Sequence, residues 1–259
     1  MEKLLIYHIG LLATPHGSAA RRGEEQGAIE LTRDAWILVE DGKIAAVGTE
    51  APPCAADAQT LDAEQRLVTP GLVDAHTHLV FGGWRQNELG LKLHGAGYLD
   101  ILAAGGGILS TMRATREASE DALFEKAGAA LDEMLRFGTT TVEAKSGYGL
   151  NVEDELKSLR VLRRLNETHA ADVVPTFMGA HAVPPEFRDD RQGYVDLICR
   201  ELLPAVKAQG IAEFCDVFCE QGVFSAEESA QILEAGSRLG LRPKLHADEI
   251  MPIGGSQLA

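Results

Sequence analysis

No stretch of the 259-residue sequence is apolar for long enough to span a bilayer, which takes about 20 such residues. The opening residues, Met1-Glu-Lys-Leu-Leu-Ile-Tyr-His8, lack the apolar core and small-residue cleavage site of a secretory signal. A cytoplasmic protein without a membrane partner is therefore expected. Positive charge is scarce: 24 Lys and Arg stand against 39 Asp and Glu, a formal net charge of −15. Nucleic-acid binders need a basic face to meet phosphates. No such cluster exists, so nucleic acid is not an expected partner. An anionic ligand would need a locally placed cation. The four cysteines, Cys54, Cys199, Cys215 and Cys219, form no Cys-x-x-Cys pair, and a chain of this size needs no disulfide staple. Cys215 and Cys219 sit in an apolar run and are expected to be small core residues rather than ligands. Gly105-Gly-Gly107 is not followed by Gly-Lys-Ser/Thr and does not follow a strand, which excludes a phosphate loop. No Gly-x-Ser-x-Gly elbow surrounds Ser146, which argues against a serine hydrolase.

What is present divides in two. Residues 1–66 read as a small β module. Leu4 to Leu12 has a strand pattern, and Ala35 to Val47 a hairpin pattern turned at Asp41-Gly42. The segment between them, Pro15 to Gly27, reads as a polar loop. From residue 67 to 259 the pattern becomes strand, loop, helix, repeated. Expected strands are Leu67–Asp74, Thr139–Ala144, Asp172–Met178, Glu213–Phe218 and Arg242–His246. Helices are expected over Ser119–Phe137, with Gly138 as its stop, and over Asn151–Leu165. A third opens on the capping box Ser225-Ala-Glu-Glu228 and ends at Gly240. The tail from Gly254 to Ala259 reads as a helix just beginning. Alternation of this kind predicts an α/β fold, a parallel sheet with helices outside. About five βα units are visible, whereas a complete (β/α)8 barrel has eight strands.

The strongest chemical signal is Thr69-Pro-Gly-Leu-Val-Asp-Ala-His76-Thr-His78. Histidines at i and i+2 on a strand point to one face. At the C-terminal end of a barrel strand that face is the mouth, where barrel active sites lie. Neutral imidazoles suit zinc or iron. The apolar run and the Pro70-Gly71 turn favour metal ligation over two histidines that merely share a face. His246 ends another expected strand and would bring the ligand count to three, leaving a position open as catalytic sites do. Glu249, three residues on, could relay the proton of an attacking water. Asp248 is the competing acid, and spacing does not choose between them.

His181 ends Pro175-Thr-Phe-Met-Gly-Ala-His181, again just past a strand. It could be a ligand, or a donor to a substrate carbonyl. Arg85 falls in the first long βα loop, where a guanidinium suits bidentate capture of a carboxylate. Tyr148, between Gly147 and Gly149, could line a pocket.

Pro70-Gly-Leu-Val-Asp-Ala-His-Thr-His78 resembles the first-strand signature of the amidohydrolase superfamily. Four longer segments are similar to its imidazolonepropionase family: residues 105–116, 142–150, 175–185 and 244–249. The resemblance runs from the first residues to the last. It implies a (β/α)8 TIM barrel of the metal-dependent hydrolase type, incomplete here, with a small β module built from both chain ends. It implies hydrolysis of 4-imidazolone-5-propanoate, a small anionic heterocycle, to N-formimidoyl-L-glutamate in histidine degradation. By motif, His76, His78 and His246 would hold one zinc or iron ion. Arg85 would grip the propanoate carboxylate, and Tyr148, His181 and Tyr98 would complete the substrate site. Glu249 would activate water. A homodimer is also implied.

The family pattern continues through three further barrel strands, with another His and a metal-binding Asp on the last, and through strands that complete the β module. None is present in this sequence. A fragment or truncated gene product is therefore expected, with a barrel completed by a partner copy as the alternative. Two rival functions stay open. A deaminase acting on a neutral heterocycle would share the three histidines without needing Arg85. An inactive remnant would bind metal weakly or only assemble with a partner.

Overall fold

The computed structural model describes residues 2–15, 17, 19–52, 57–97 and 106–259. Chain contacts divide it into two units, Met1–Gly71 and Leu72–Ala259.

The first unit is a five-stranded sheet in the order β3-β2-β1-β4, with β5 also paired to β1. Its strands are β1 (Lys3–Pro15), β2 (Ile29–Glu40), β3 (Lys43–Gly48), β4 (Gln59–Asp62) and β5 (Leu67–Val68). β2 and β3 form the expected hairpin, joined by Asp41 and Gly42 with φ of 50° and 75°. Two positive φ values in succession make the turn whose twist matches the flanking strands. Both β1 and β2 run longer than their apolar patterns suggest, and they pair from Lys3↔Glu40 to Pro15↔Ile29. The expected polar loop loses only Pro15 to β1, and its Gly23–Gly27 is a 3-10 turn. Ile9, Leu12, Ala35 and Ile37 form this unit's core.

The second unit holds a parallel sheet ordered β10-β9-β8-β7-β6. Its strands are β6 (Leu72–Thr77), β7 (Thr139–Lys145), β8 (Asp172–Ala180), β9 (Phe214–Cys219) and β10 (Arg242–Ala247). Sequence order equals spatial order, as in successive βα units of a barrel. The run Leu67–Asp74, read as one strand, is in fact two. Leu67 and Val68 pair with β1, while Leu72 onward pairs with β7. Pro70 has no N–H to give to a ladder and separates them.

The described helices are α1 (Glu88–Leu93), α2 (Gly107–Glu117), α3 (Glu120–Arg136), α4 (Val152–Thr168), α5 (Arg191–Leu197), α6 (Leu203–Gln209), α7 (Ala226–Arg238) and α8 (Gly255–Leu258). A π-helical turn, Ile198–Leu202, joins α5 to α6. Ser119 caps α3 by accepting from the Ala122 N–H, and Asn151 caps α4 by accepting from Asp154. Gly138, φ +92°, follows α3 in the left-handed conformation that ends many helices. Both bonds of the Ser225–Glu228 capping box are present. Leu123, Ala127 and Leu131 of α3 and Leu159, Leu162 and Leu165 of α4 pack with Val142, Val173, Phe177 and Val217 of the strands. Burial of each such Leu contributes roughly 2 kcal/mol. Cys215 and Cys219 are buried thiols of this core, as expected. Helices α1, α2, α5 and α6 were not among those expected from the sequence. No helix among the described residues is long and apolar enough to cross a membrane.

Candidate active site

His76 lies near the C-terminal end of β6, and His78 follows just beyond it. His246 lies near the C-terminal end of β10, at the other edge of the sheet. The sheet curls enough to bring its edges together on the inside. The Nε2 atoms of His76 and His246 are 3.0 Å apart, and the His78 ring centroid is 5.6 Å from each of theirs. Each ring offers a nitrogen, and the three ligand atoms lie within 4.8 Å of one another.

This donor set fits a cation on three grounds. Imidazole nitrogens suit borderline metals such as zinc and iron. His76 and His78 are held neutral, as ligands must be. Burial pushes His78 down to about 2, with His181 adding repulsion, and partial desolvation lowers the more exposed His76. Finally, Nδ1 of His78 is buried without a hydrogen-bond partner among the described residues, and such a group is costly unless it serves a ligand.

The outer nitrogen of His246 is fixed. Its Nδ1 donates to Oδ1 of Asp216 at 3.0 Å, which leaves Nε2 turned toward His76. Asp216 also pairs with Lys145 at 2.9 Å, and Lys145 with Glu143 at 2.7 Å. Sequence reading missed these three residues. The available signal was a charged residue inside each of two strands whose neighbours are apolar, since a fully buried strand tolerates charge only when it is paired.

Arg85, Tyr148, His181 and Glu249 line the same cavity as the three histidines. Its volume is about 340 Å³, and the apolar side chains of Ile108, Phe218 and Ile250 complete its lining. Tyr98 lies outside the described residues.

His181 is held from the loop after β7. Its Nδ1 lies 2.9 Å from the carbonyl of Gly147. A carbonyl only accepts, so Nδ1 carries the proton. Burial pushes the ring down to about 4, against the upward pull of that bond. A neutral His181 with its proton on Nδ1 presents a bare Nε2. In that form Nε2 can accept a hydrogen bond, whereas the donation to a carbonyl allowed by the sequence reading would need the ring protonated on both nitrogens. Gly147 has φ +103°, and a Cβ there would sit 3.0 Å from His181 Nδ1 and 2.8 Å from the Met178 carbonyl, so only glycine fits. The fully buried carboxylate of Glu155 holds the rest of the loop, accepting from the N–H groups of Gly147, Gly149 and Leu150. This places Tyr148 with its ring centroid 5.0 Å from that of His181.

The acids after β10 separate by function. Asp248 accepts from the backbone of Ile253, Gly255 and Ser256 and from the Ser256 hydroxyl. Those bonds hold its carboxyl far below the usual carboxylate range and occupy it in capping α8. Glu249 is exposed and faces the cavity. Its loop is tied down by Glu220, which accepts from Ile250 and Met251. Arg85 is 41% exposed and only 3.9 Å from Glu88, so a ligand can compete for it.

A curled sheet of parallel strands with imidazoles gathered at its C-terminal end defines part of a barrel of the metal-dependent hydrolase type. Solved structures agree on the fold. The chain superposes on Escherichia coli guanine deaminase with a TM-score of 0.62 at 14% identity, over 96% of this chain and 53% of that one. It superposes on N-isopropylammelide isopropylaminohydrolase from Burkholderia multivorans with 0.57 at 19% identity, over 95% and 53%. No family model matches. Among curated proteins, the chain is 51% identical over 264 residues to the imidazolonepropionase of Alkaliphilus metalliredigens, covering all of this chain and 63% of that one. To that of Thermoanaerobacter pseudethanolicus it is 50% identical over 256 residues, covering 99% and 61%. Along its whole length the chain is a homologue of the imidazolonepropionases, and it spans about three-fifths of the length of these relatives.

Proposed function

We propose that this chain carries the metal site and substrate pocket of an imidazolonepropionase, a hydrolase that opens the cyclic amide of 4-imidazolone-5-propanoate to N-formimidoyl-L-glutamate in cytoplasmic histidine degradation. The observation that carries the reading is the convergence of His76, His78 and His246 in one cavity with Arg85 and Glu249. A deaminase of a neutral ring needs the histidines but has no use for the arginine.

His76, His78 and His246 would hold one zinc or iron ion. Such an ion supplies Lewis acidity to a carbonyl oxygen and lowers the pKa of a water. The chain's own residues supply the rest. Arg85 pairs with the propanoate carboxylate and fixes the ring's orientation, which lowers the entropic part of the barrier. Nε2 of His181 accepts from a ring N–H and holds the ring in register. Tyr148 and Phe218 border the ring and keep bulk water out. Glu249 takes a proton from the attacking water as its oxygen bonds to the ring carbonyl carbon. It returns that proton to the ring nitrogen as the C–N bond breaks, and the new carboxyl group releases its remaining proton to solvent, giving the carboxylate and the formimidoyl amine.

Incubating the purified 259-residue chain with 4-imidazolone-5-propanoate and either zinc or ferrous iron tests this. Mass spectrometry should find N-formimidoyl-L-glutamate without ammonia. Ammonia released from a neutral heterocycle would move the assignment to a deaminase. Bound metal without turnover of any ring would leave the remnant reading.

A further inference from the structure

The geometry points to Lys145 and Asp216 as positioning residues that clasp the two edges of the half-barrel and set the nitrogen by which His246 meets a metal. The inference rests on the proposed metal centre, whose ligands come from strands that share no backbone hydrogen bond. β6 and β10 are the outermost strands of their sheet, so the ladder does not fix the distance between them. A buried chain of charges does.

Lys145 is 1% exposed and stands at the centre, on β7. Its ammonium reaches Oδ2 of Asp216 on β9 at 2.9 Å and Oε1 of Glu143 at 2.7 Å. Asp216 uses its other oxygen on Nδ1 of His246, on β10. Glu143 turns the opposite way. Its Oε2 accepts from the backbone N–H of Thr77, between His76 and His78, at 3.4 Å, and its carbonyl accepts from the Thr77 hydroxyl at 2.8 Å. Thr176 of β8 also donates to Glu143. Lys244 of β10 closes the ring, 3.2 Å from Glu143 and 3.5 Å from the Ala75 carbonyl of β6. All five strands are joined through side chains.

Within the cluster two lysines face two carboxylates, and Asp216 meets His246 through Nδ1. Its proton sits on Nδ1, held by Asp216, and its Nε2 lone pair faces the other imidazoles. Carboxylates that hold a ligand histidine in this way orient the ring and raise its basicity. Lys145 in turn keeps Asp216 ionised and in place where an isolated carboxylate would be costly.

The experiment uses the 259-residue chain as it stands. Wild type, Asp216→Asn and Lys145→Met are titrated with Co2+, followed by visible absorption. Circular dichroism and urea unfolding check that each is folded. Ser225→Ala, which weakens the cap of α7 away from the site, is the stability control. Both clasp variants should bind cobalt about 10- to 100-fold more weakly than wild type, and Ser225→Ala should bind it normally. In addition, 15N NMR of wild type without added metal should find the His246 proton on Nδ1, a readout that needs no variant to fold. Unchanged cobalt affinity in folded Asp216→Asn, an equal loss in Ser225→Ala, or a wild-type His246 protonated on Nε2 would each overturn the clasp. If wild type takes up no cobalt yet His246 keeps its proton on Nδ1, the clasp stands and the metal reading falls.

Discussion

The Nε2 atoms of His76 and His246 stand 3.0 Å apart across 170 residues of sequence, on opposite edges of one five-stranded sheet. A flat sheet would hold such edges about 19 Å apart, four spacings of roughly 4.8 Å. The meeting therefore measures how far the sheet has curled, and it makes metal binding a readout of the fold. Zinc should raise the unfolding temperature of the chain, because a ligand at 100 times its dissociation constant adds about 2.7 kcal/mol. His76→Ala should abolish most of that gain with little effect on the metal-free protein, since His76 is exposed. An identical zinc-induced shift in the variant would place the metal elsewhere.

Arg85→Ala should raise KM at least tenfold for the anionic substrate and leave zinc affinity unaltered. The guanidinium is half-exposed, lines the cavity and is not committed to a tight ion pair. Each tenfold loss corresponds to about 1.4 kcal/mol. Steady-state kinetics beside a zinc titration separates the two effects, and an unchanged KM would remove Arg85 from the pocket's chemistry.

Asp248 and Glu249 are neighbours with opposite expected phenotypes. Asp248→Asn loses part of a set of four hydrogen bonds around α8 and should lower stability by about 1 kcal/mol. Glu249→Gln should leave the urea midpoint in place and reduce kcat by about 100-fold or more. A stable Asp248→Asn without turnover, beside an active Glu249→Gln, would reverse the assignment.

The site histidines also set a pH dependence. His181 titrates at about 4 and His78 at about 2 in the folded chain, both lowered from 6.5 chiefly by burial. The unfolded chain takes up these protons near 6.5, so between there and pH 4 it binds more protons than the native state. Stability of the metal-free chain is therefore full above pH 6.5 and declines as pH falls toward 4. Urea midpoints measured across that range should drop less steeply in His181→Asn. Equal slopes in both proteins would show that this ring contributes nothing.

Much of this was readable before any coordinates. Ser119, Asn151 and the Ser225–Glu228 pair announced their helices because capping is local chemistry, decided within four residues. His76, His78 and His246 were readable because each sits at or just past the end of an expected strand, and a histidine there is conspicuous. Other features depend on partners far away in sequence. Leu67–Asp74 read as one strand because its apolar residues are continuous, although β1 takes its first part and β7 the rest. Lys145 and Asp216 showed only as charges inside apolar strands, and the pairing that makes each tolerable lies 71 positions away. The choice between Asp248 and Glu249 needed the backbone of Ile253 to Ser256, whose turn no periodicity reveals.

The central claim is that three imidazoles from two sheet edges meet on one ion, and X-ray absorption at the zinc edge of the zinc-loaded chain tests it most directly. The account predicts three histidine nitrogens at about 2.0–2.1 Å, falling to two in His246→Ala. A first shell of sulfur, or one that keeps three imidazoles when His246 is removed, would contradict it.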